Sequence, residues 1–431
     1  MMMMRKLCSL LCMGMFVSPL LAQNTNEPIK VSITKSADGA FQLLRDGKPY
    51  FVKGAGGSAF PDRIAAYGGN SIRTWGSKDG QRVLDVAHQH GLTVLMGLDV
   101  ARERHGFDYN DTAVVKKQLD RLREEVLKYR NHPALLAWGI GNELNLRYGN
   151  PKVWNAVNDI AKMIHELDKN HPVCTVLAGI DKDLVTQLKA RCPDIDFLSV
   201  NTYGDLKSLP QNIRNTGWPG AYMVTEWGPT GHWESLTTPW KSAIEETSSE
   251  KAAVYKTRYE YSVAKDKERC LGSYVFLWGQ KQERTPTWYG LFTEKGEETE
   301  VMDVMQYLWS GNWPINQAPH IYSLQVNNKK PIDFLLLQPG SKNNAMAAAF
   351  DPNDDKLTYR WEILPEPTQL SDGGDFEARS TAIENSIVGN ANQSNISFIA
   401  PEKEGAYRLF VYISDGKNKV ATANFPFYVK Q

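Results

Sequence analysis

Two glutamates that come at the ends of apolar runs are the residues of this chain best placed to do chemistry. Glu143 comes soon after the run 134–140, and Glu226 follows the run 221–224 and one threonine. A carboxylate at the end of an apolar strand meets solvent where a barrel of strands opens, and two carboxylates can face one another there. Such a pair suits hydrolysis of a glycosidic bond: one acid protonates the leaving oxygen, and the other attacks the anomeric carbon or activates a water.

The elements that must position these glutamates alternate short apolar strands with amphipathic helices between about residues 40 and 312. The predicted strands are 50–53, 71–74, 92–97, 135–140, 173–177, 197–201, 221–225 and 272–277. The clearest predicted helices are 111–130, 152–168, 251–266 and 300–309. Eight strands with helical connections predict an α/β fold, a (β/α)₈ TIM barrel, and no glycine-rich phosphate loop follows the first strand. Glu143 then follows the fourth strand and Glu226 ends the seventh, both at the face where such barrels carry active sites.

The sequence pattern changes near residues 312–319. Beyond that point short β segments alternate with turns rich in Gly, Asn, Asp and Pro: 345–350, 356–362, 396–400, 407–413 and 421–429. This pattern predicts a small all-β sandwich of immunoglobulin-like size. We therefore expect a catalytic barrel over residues 23–314 and a β-sandwich over 315–431.

The first 22 residues have the pattern of a signal peptide. Arg5 and Lys6 precede the apolar run 7–21, and Ala22 is a small residue before a cleavage site. We expect export to the periplasm or beyond as a soluble protein rather than a lipoprotein, and no later run has the length of a membrane span. The three cysteines that remain, an odd number, are expected in the core rather than in a disulfide framework; they are Cys174, Cys192 and Cys270.

Composition narrows the class of partner. The 431 residues are 42% hydrophobic and 23% charged with zero formal net charge, which argues against nucleic acid. The 12 Trp and 18 Tyr suit stacking on sugar rings, so we expect a polysaccharide or oligosaccharide substrate. We expect a monomer with no cofactor and no metal. The acidic turn 351–355 could bind calcium, but its composition favours a hydrated turn.

Several motifs resemble one group of enzymes. The run 132–143, ending in Gly-Asn-Glu, resembles the acid/base segment of clan A retaining glycoside hydrolases, with the nearest likeness to the family 2 barrel. Segment 69–75 resembles the second-strand segment of that group, and 225–228 resembles its nucleophile strand. With its short barrel and a C-terminal module similar to immunoglobulin and PKD/cadherin-like domains, the chain looks more like family 158, whose members are endo-β-1,3-glucanases.

The resemblance implies roles for five residues around the reacting bond. Glu143 matches the general acid/base and Glu226 the nucleophile. Asn142 matches an asparagine that hydrogen-bonds the sugar 2-hydroxyl. Arg73 matches an arginine that keeps the nucleophile ionised, and Tyr203 an aromatic residue that hydrogen-bonds it. The acid/base needs a raised pKa, and the expected carboxyl separation for retention is about 5–5.5 Å.

Four tryptophans are further candidates for contact with sugar. The resemblance implies that Trp278, at the end of the eighth strand, forms the floor of a glycosyl subsite. Trp227, Trp233 and Trp288 fall in loops at the barrel mouth, where they could stack on sugars or pack the loops.

We predict a retaining endo-β-glucanase that cleaves β-1,3-linked glucan by double displacement, because short barrel loops favour an open groove. The alternatives within the same chemistry are an exo-acting β-galactosidase or β-mannosidase and a β-glucan transglycosylase. A different class, a non-catalytic glycan-binding protein, would have no need of a matched acid and nucleophile.

Overall fold

The structure, a computed structural model, describes residues 27–371 and 373–431. The predicted signal peptide lies outside the described residues. Among those residues, no helix combines the length and the apolar character needed to cross a bilayer.

Eight parallel strands close into a barrel in chain order, as predicted. The barrel strands, numbered first to eighth below, are Val52–Gly56, Ser71–Arg73, Thr93–Leu98, Leu135–Ile140, Val173–Ala178, Phe197–Asn201, Tyr222–Trp227 and Cys270–Val275. Every residue of the third, fourth, seventh and eighth strands is buried. Strands covered on both faces are continuously hydrophobic, which is why they stand out in the sequence.

Helices cover the outside of the barrel. They are Pro61–Ala66, Gly80–Gln89, Thr112–Tyr129, Lys152–Leu167, Lys182–Arg191, Leu209–Asn215, Ser248–Arg258 and Glu300–Ser310. Asp111 caps the helix Thr112–Tyr129, because its side chain accepts from the amides of Ala113 and Val114. The helix predicted at 251–266 instead begins at Ser248, since Thr247 and Glu250 form a capping box, and a π-helical turn follows Arg258.

A three-stranded sheet that the sequence pattern did not predict precedes the barrel. It consists of Val31–Lys35, Phe41–Arg45 and Lys48–Pro49. Val31 and Leu43 pack into one cluster with Leu95, Met223 and Tyr274 of the barrel strands, so this sheet shares a hydrophobic core with the barrel. Cys174, Cys192 and Cys270 are free and buried, as expected.

The C-terminal part forms two four-stranded sheets around a core of its own. In order, one sheet contains His320–Val326, Lys342–Phe350, Asn395–Ile399 and Ile387–Val388. The other contains Leu336–Leu337, Val420–Val429, Gly405–Ser414 and Thr358–Pro365. All five predicted β segments lie in these strands apart from end residues, and alternate side chains such as Leu409 and Val411 face the other sheet.

Buried polar groups join the barrel to this sandwich. Asn424 Nδ2 donates to Glu245 Oε2 at 2.6 Å, and both residues are buried. Lys419 Nζ lies 2.6 Å from Asp303 Oδ1 and 2.7 Å from Glu298 Oε2. Burial raises the pKa of Asp303 to about 6, against the opposing effect of Lys419. These ion pairs are sheltered from water, so they tie the two parts of the chain in one arrangement.

Candidate active site

Both glutamates lie at the carboxyl ends of barrel strands and line one cavity of about 780 Å³. Glu226 is the penultimate residue of the seventh strand, and Glu143 comes three residues after the fourth. The chain turns sharply before Glu143, because Gly141 has φ +69° and Glu143 itself has φ +54°. A Cβ at position 141 would come within 2.7 Å of the Leu144 side chain, so the turn requires glycine.

Glu226 accepts hydrogen bonds from three side chains. Arg73 Nη1 and Trp75 Nε1 donate to Oε1 at 2.8 and 2.7 Å, and the Tyr203 hydroxyl donates to Oε2 at 3.0 Å. Burial, with the charge of Glu226, raises the pKa of Tyr203 well above its usual value, so this hydroxyl stays a donor. The three groups match what an ionised carboxylate accepts, and the buried Arg73 supplies its counter-charge.

Glu143 has a different environment. Removal from water raises its pKa to about 7, and the negative charge of Glu226 adds to this effect. Asn201 Nδ2 donates to Glu143 Oε1 at 2.9 Å and opposes the shift, as does the more distant charge of Arg73. A carboxyl group with this pKa is protonated in about half of the molecules at neutral pH.

A chain of hydrogen bonds links the two carboxylates. Asn142 Oδ1 accepts from Arg73 Nη2 at 2.6 Å and from Asn201 Nδ2 at 3.2 Å. Thr225 Oγ1 in turn donates to Asn201 Oδ1 at 2.9 Å. Because both contacts of Asn142 fall on its oxygen, its amide nitrogen is left to donate toward the cavity, which Asn142 lines.

Trp227, Trp278 and Trp288, three of the predicted sugar contacts, are buried and are not among the residues that line the cavity. Trp227 is fully buried and packs against Tyr255 and Tyr259 with ring centroids 5.3 and 5.6 Å apart. Successive residues of a strand point to opposite sides, so Trp227 faces the helix layer when Glu226 faces the cavity.

Trp278 and Trp288 are buried for other reasons. The eighth strand ends at Val275, so its alternation does not extend to Trp278, which stacks on Trp309 with ring centroids 5.5 Å apart. Trp288 donates from Nε1 to the Thr230 carbonyl at 3.0 Å. Of the four predicted tryptophans, only Trp233 lines the cavity, and 59% of its surface is exposed.

Sequence reasoning missed several residues of the cavity. Trp75 and Asn201 both contact a glutamate. The sequence contained a signal for each, because Trp75 lies two residues after Arg73 and Asn201 is a buried polar residue at the end of the sixth strand. Phe276 adds an apolar wall. Other residues that were not predicted include Arg102, Arg147, Lys281 and the sandwich residues Gly373, Gly374 and Asp375.

One group of acidic residues within 27–371 and 373–431 has the spacing of a cation site, and it lies in the sandwich rather than in the cavity. Oxygens of Asp351, Asp355 and Asp415 lie within 4.8 Å of one another. Asp351 Oδ1 accepts from the amides of Asn353 and Asp355, the pattern of an acidic turn.

Comparisons with known proteins agree with this architecture. Residues 64–230 match the family model described as "Glycosyl hydrolases family 2, TIM barrel domain". That segment includes Arg73, Asn142, Glu143, Tyr203 and Glu226. The finer resemblance to family 158 remains a prediction.

Among solved structures, the chain is similar to Bifidobacterium dentium β-glucuronidase, with 18% identity and a TM-score of 0.52 over 66% of this chain and 49% of that one. It is also similar to Bacteroides uniformis β-glucuronidase 2, with 16% identity and a TM-score of 0.51 over 93% of this chain and 48% of that one. The Dictyoglomus thermophilum β-D-glucuronidase is similar as well, with 17% identity and a TM-score of 0.51 over 65% of this chain and 54% of that one. The chain thus spans about half the length of these structures, and identities this low show a shared fold.

Proposed function

We propose that this chain is a retaining β-glycoside hydrolase in which Glu226 is the nucleophile and Glu143 the general acid/base. The observation that carries the proposal is that two carboxyl groups in one cavity have different surroundings. Glu226 is held by three donors, one of them a buried cation, whereas burial raises the pKa of Glu143 to about 7. A carboxylate held by donors beside a carboxyl group with a raised pKa suits a nucleophile and an acid.

In the first step a Glu226 oxygen attacks the anomeric carbon while the bond to the leaving oxygen breaks. The Glu143 proton passes to that oxygen, so the leaving group departs as a neutral alcohol. Asn142 is placed to donate to a sugar hydroxyl, a contact that strengthens as positive charge develops on the ring. The product of this step is a glycosyl ester of Glu226.

In the second step the ester is hydrolysed. Esterification removes the negative charge of Glu226, which is one of the two effects that raise the pKa of Glu143. The pKa of Glu143 therefore falls, and its carboxylate can take a proton from the attacking water. The anomeric carbon is inverted twice, so the configuration is retained.

For the substrate, the size of the cavity favours a short β-glycoside or the end of a β-linked chain. Its volume of about 780 Å³ falls within the range of roughly 300–1,000 Å³ that is typical of small-ligand pockets. The similar structures are β-glucuronidases. Arg102 and Arg147 line the cavity and carry positive charge, so a uronide belongs beside galactosides and mannosides among the candidates.

The second candidate is the endo-β-1,3-glucanase activity predicted from sequence. One observation favours it: the largely exposed Trp233 ring packs edge-on against Tyr203, with centroids 5.4 Å apart, and offers an exposed flat surface in the cavity wall. A sugar unit of a longer glucan could stack on that surface.

A substrate panel tests both candidates. It contains nitrophenyl β-glucuronide, β-galactoside, β-mannoside and β-glucoside together with laminarin, mixed-linkage glucan, galactan and mannan. We expect release of single terminal units, with the β-anomer formed first by proton NMR. Long oligosaccharides early in a laminarin digest would instead establish the endo reading. If the panel is bound but never cleaved, or if Glu226→Ala is as active as the unsubstituted protein, the proposed mechanism is wrong.

A further inference from the structure

A loop of the sandwich forms part of the wall of the catalytic cavity. The loop, residues 373–377, lies between the strands Thr358–Pro365 and Ile387–Val388. Gly373, Gly374 and Asp375 line the same cavity as the two glutamates. The second domain therefore reaches the site of the proposed reaction, although it is some 150 residues or more beyond Glu226 in the chain.

One side of the loop is attached near the eighth barrel strand. Lys281 Nζ donates to the Gly374 carbonyl at 2.6 Å. Arg284 donates to both oxygens of Glu377, from its amide and from Nη1, each at 2.7 Å. The Glu377 side chain has no exposed surface, and a carboxylate held by an amide on one oxygen and a guanidinium on the other is fixed in position as well as paired in charge.

The other side is attached after the third barrel strand. His105 Nε2 lies 3.1 Å from Asp375 Oδ2, and Arg104 Nη2 lies 3.5 Å from Asp375 Oδ1. In the closed barrel the first and second strands lie between the eighth and the third. The loop thus contacts segments that follow two barrel strands which are not neighbours.

The fit between the loop and the barrel is close. A Cβ added at Gly373 would come within 2.8 Å of both the Arg104 and the Leu146 side chains, and one at Gly374 within 3.2 Å of Lys281 Nζ. Both glycines have positive φ, +58° and +77°. The loop backbone at these two glycines therefore lies directly against side chains of the barrel, with no open gap between them.

We propose that loop 373–377 closes one end of the cavity and binds the terminal sugar unit, so that hydrolysis is confined to chain ends. This inference rests on the proposed function. The Asp375 carboxylate, whose side chain is 46% exposed, is the acceptor for hydroxyl groups of a terminal pyranose. The sandwich thereby determines exo action, which the short barrel loops alone would not impose.

The first test is a substrate with a blocked end. A β-linked tetrasaccharide of the sugar preferred in the panel is used as such, and again with an ethylidene group across two hydroxyls of its non-reducing unit. The unsubstituted protein should cleave the free tetrasaccharide and leave the blocked one intact. A variant that lacks residues 373–376 should cleave the blocked tetrasaccharide internally, because the end of the cavity is then open.

A point variant tests the contact itself. Asp375→Ala should raise KM for the nitrophenyl glycoside by about tenfold or more, the usual cost of a lost hydrogen bond to a charged group, with kcat changed by less than about twofold. Glu384→Gln is the matched control, because Glu384 is an exposed carboxylate of the same domain. Thermal midpoints are measured for all variants, since a loop that only braces the barrel would lower the midpoint without changing KM or the products.

The outcomes separate the two proposals. If the unsubstituted protein cleaves the blocked and free tetrasaccharides equally, or if both loop variants keep its KM and product pattern, the role of the loop is refuted while the hydrolase remains. If no glycoside is cleaved by any form of the protein, the proposed function itself fails.

Discussion

The two carboxyl groups of the cavity differ in what surrounds them. Glu226 accepts from a guanidinium, an indole and a phenol, which together occupy both of its oxygens. Glu143 accepts from one amide, that of Asn201, and its pKa is set mainly by removal from water. One group is thus fixed by directed donors and the other by a poorly solvating environment. Directed donors suit a charge that must persist, whereas desolvation suits a proton that must be given up and regained.

The largest expected effect on activity comes from removing the charge of Glu226, the carboxylate that accepts from three donors. Glu226→Gln keeps the shape but supplies no nucleophile, so kcat should fall by on the order of 10⁴-fold or more. Steady-state kinetics with the nitrophenyl glycoside measure this loss, and the thermal midpoint shows whether the fold is kept. A variant that retains a tenth of the activity would contradict the assignment of Glu226.

Substitution of the other carboxyl group should give a loss that depends on the leaving group. Glu143→Gln cannot donate a proton, so cleavage of a sugar leaving group should slow by about 10²–10⁴-fold. A dinitrophenyl leaving group needs no protonation, and its burst of release should remain close to normal. Pre-steady-state measurement of the two substrates compares these cases. Equal losses on both would remove the distinction between the two glutamates.

A smaller effect is expected when one donor to Glu226 is removed. Tyr203→Phe deletes the 3.0 Å hydrogen bond to Oε2 and leaves Arg73 and Trp75 in place. We expect kcat/KM to fall by about 10- to 100-fold, the usual cost of a hydrogen bond to a charged group. Tyr261→Phe is the control, because Tyr261 is 55% exposed. A loss of the same size in the control would mean that the effect is not local.

The smallest expected effect is on the pH dependence of kcat/KM and on the pKa of Glu143. The first step needs Glu143 protonated, so kcat/KM should fall as pH rises through about 7. In Glu226→Gln the neighbouring negative charge is gone, and the pKa of Glu143 should move down toward its ordinary value. Carbon NMR of labelled glutamate carboxyl groups follows the titration of Glu143 in the unsubstituted protein and in Glu226→Gln. An unchanged pKa in that variant would mean that Glu226 does not act on Glu143 through its charge.

The sequence was sufficient to predict the barrel and both glutamates because those features depend on local patterns. A strand covered on both sides is a continuous apolar run, and the first charged residue after that run, Glu143 or Glu226, lies at the barrel mouth. The direction in which each tryptophan side chain points was harder to predict. Trp227 and Trp278 are next to cavity residues but face the helix layer, since the side on which a residue emerges depends on where its strand ends. Loop 373–377 could not be found, because Glu377 and Arg284 lie 93 positions apart.

The buried ion pairs between barrel and sandwich limit how this protein can be divided. Asp303 of the last barrel helix accepts from Lys419 and from the Ala318 amide, both beyond residue 314. A barrel cut at that boundary would lose both of these partners of Asp303 and the contacts of Glu245 and Glu298 with the sandwich, so it should be less stable than the intact chain. Exchange of the sandwich for another module, by recombination or by an engineer, would therefore require compensating changes in the barrel surface.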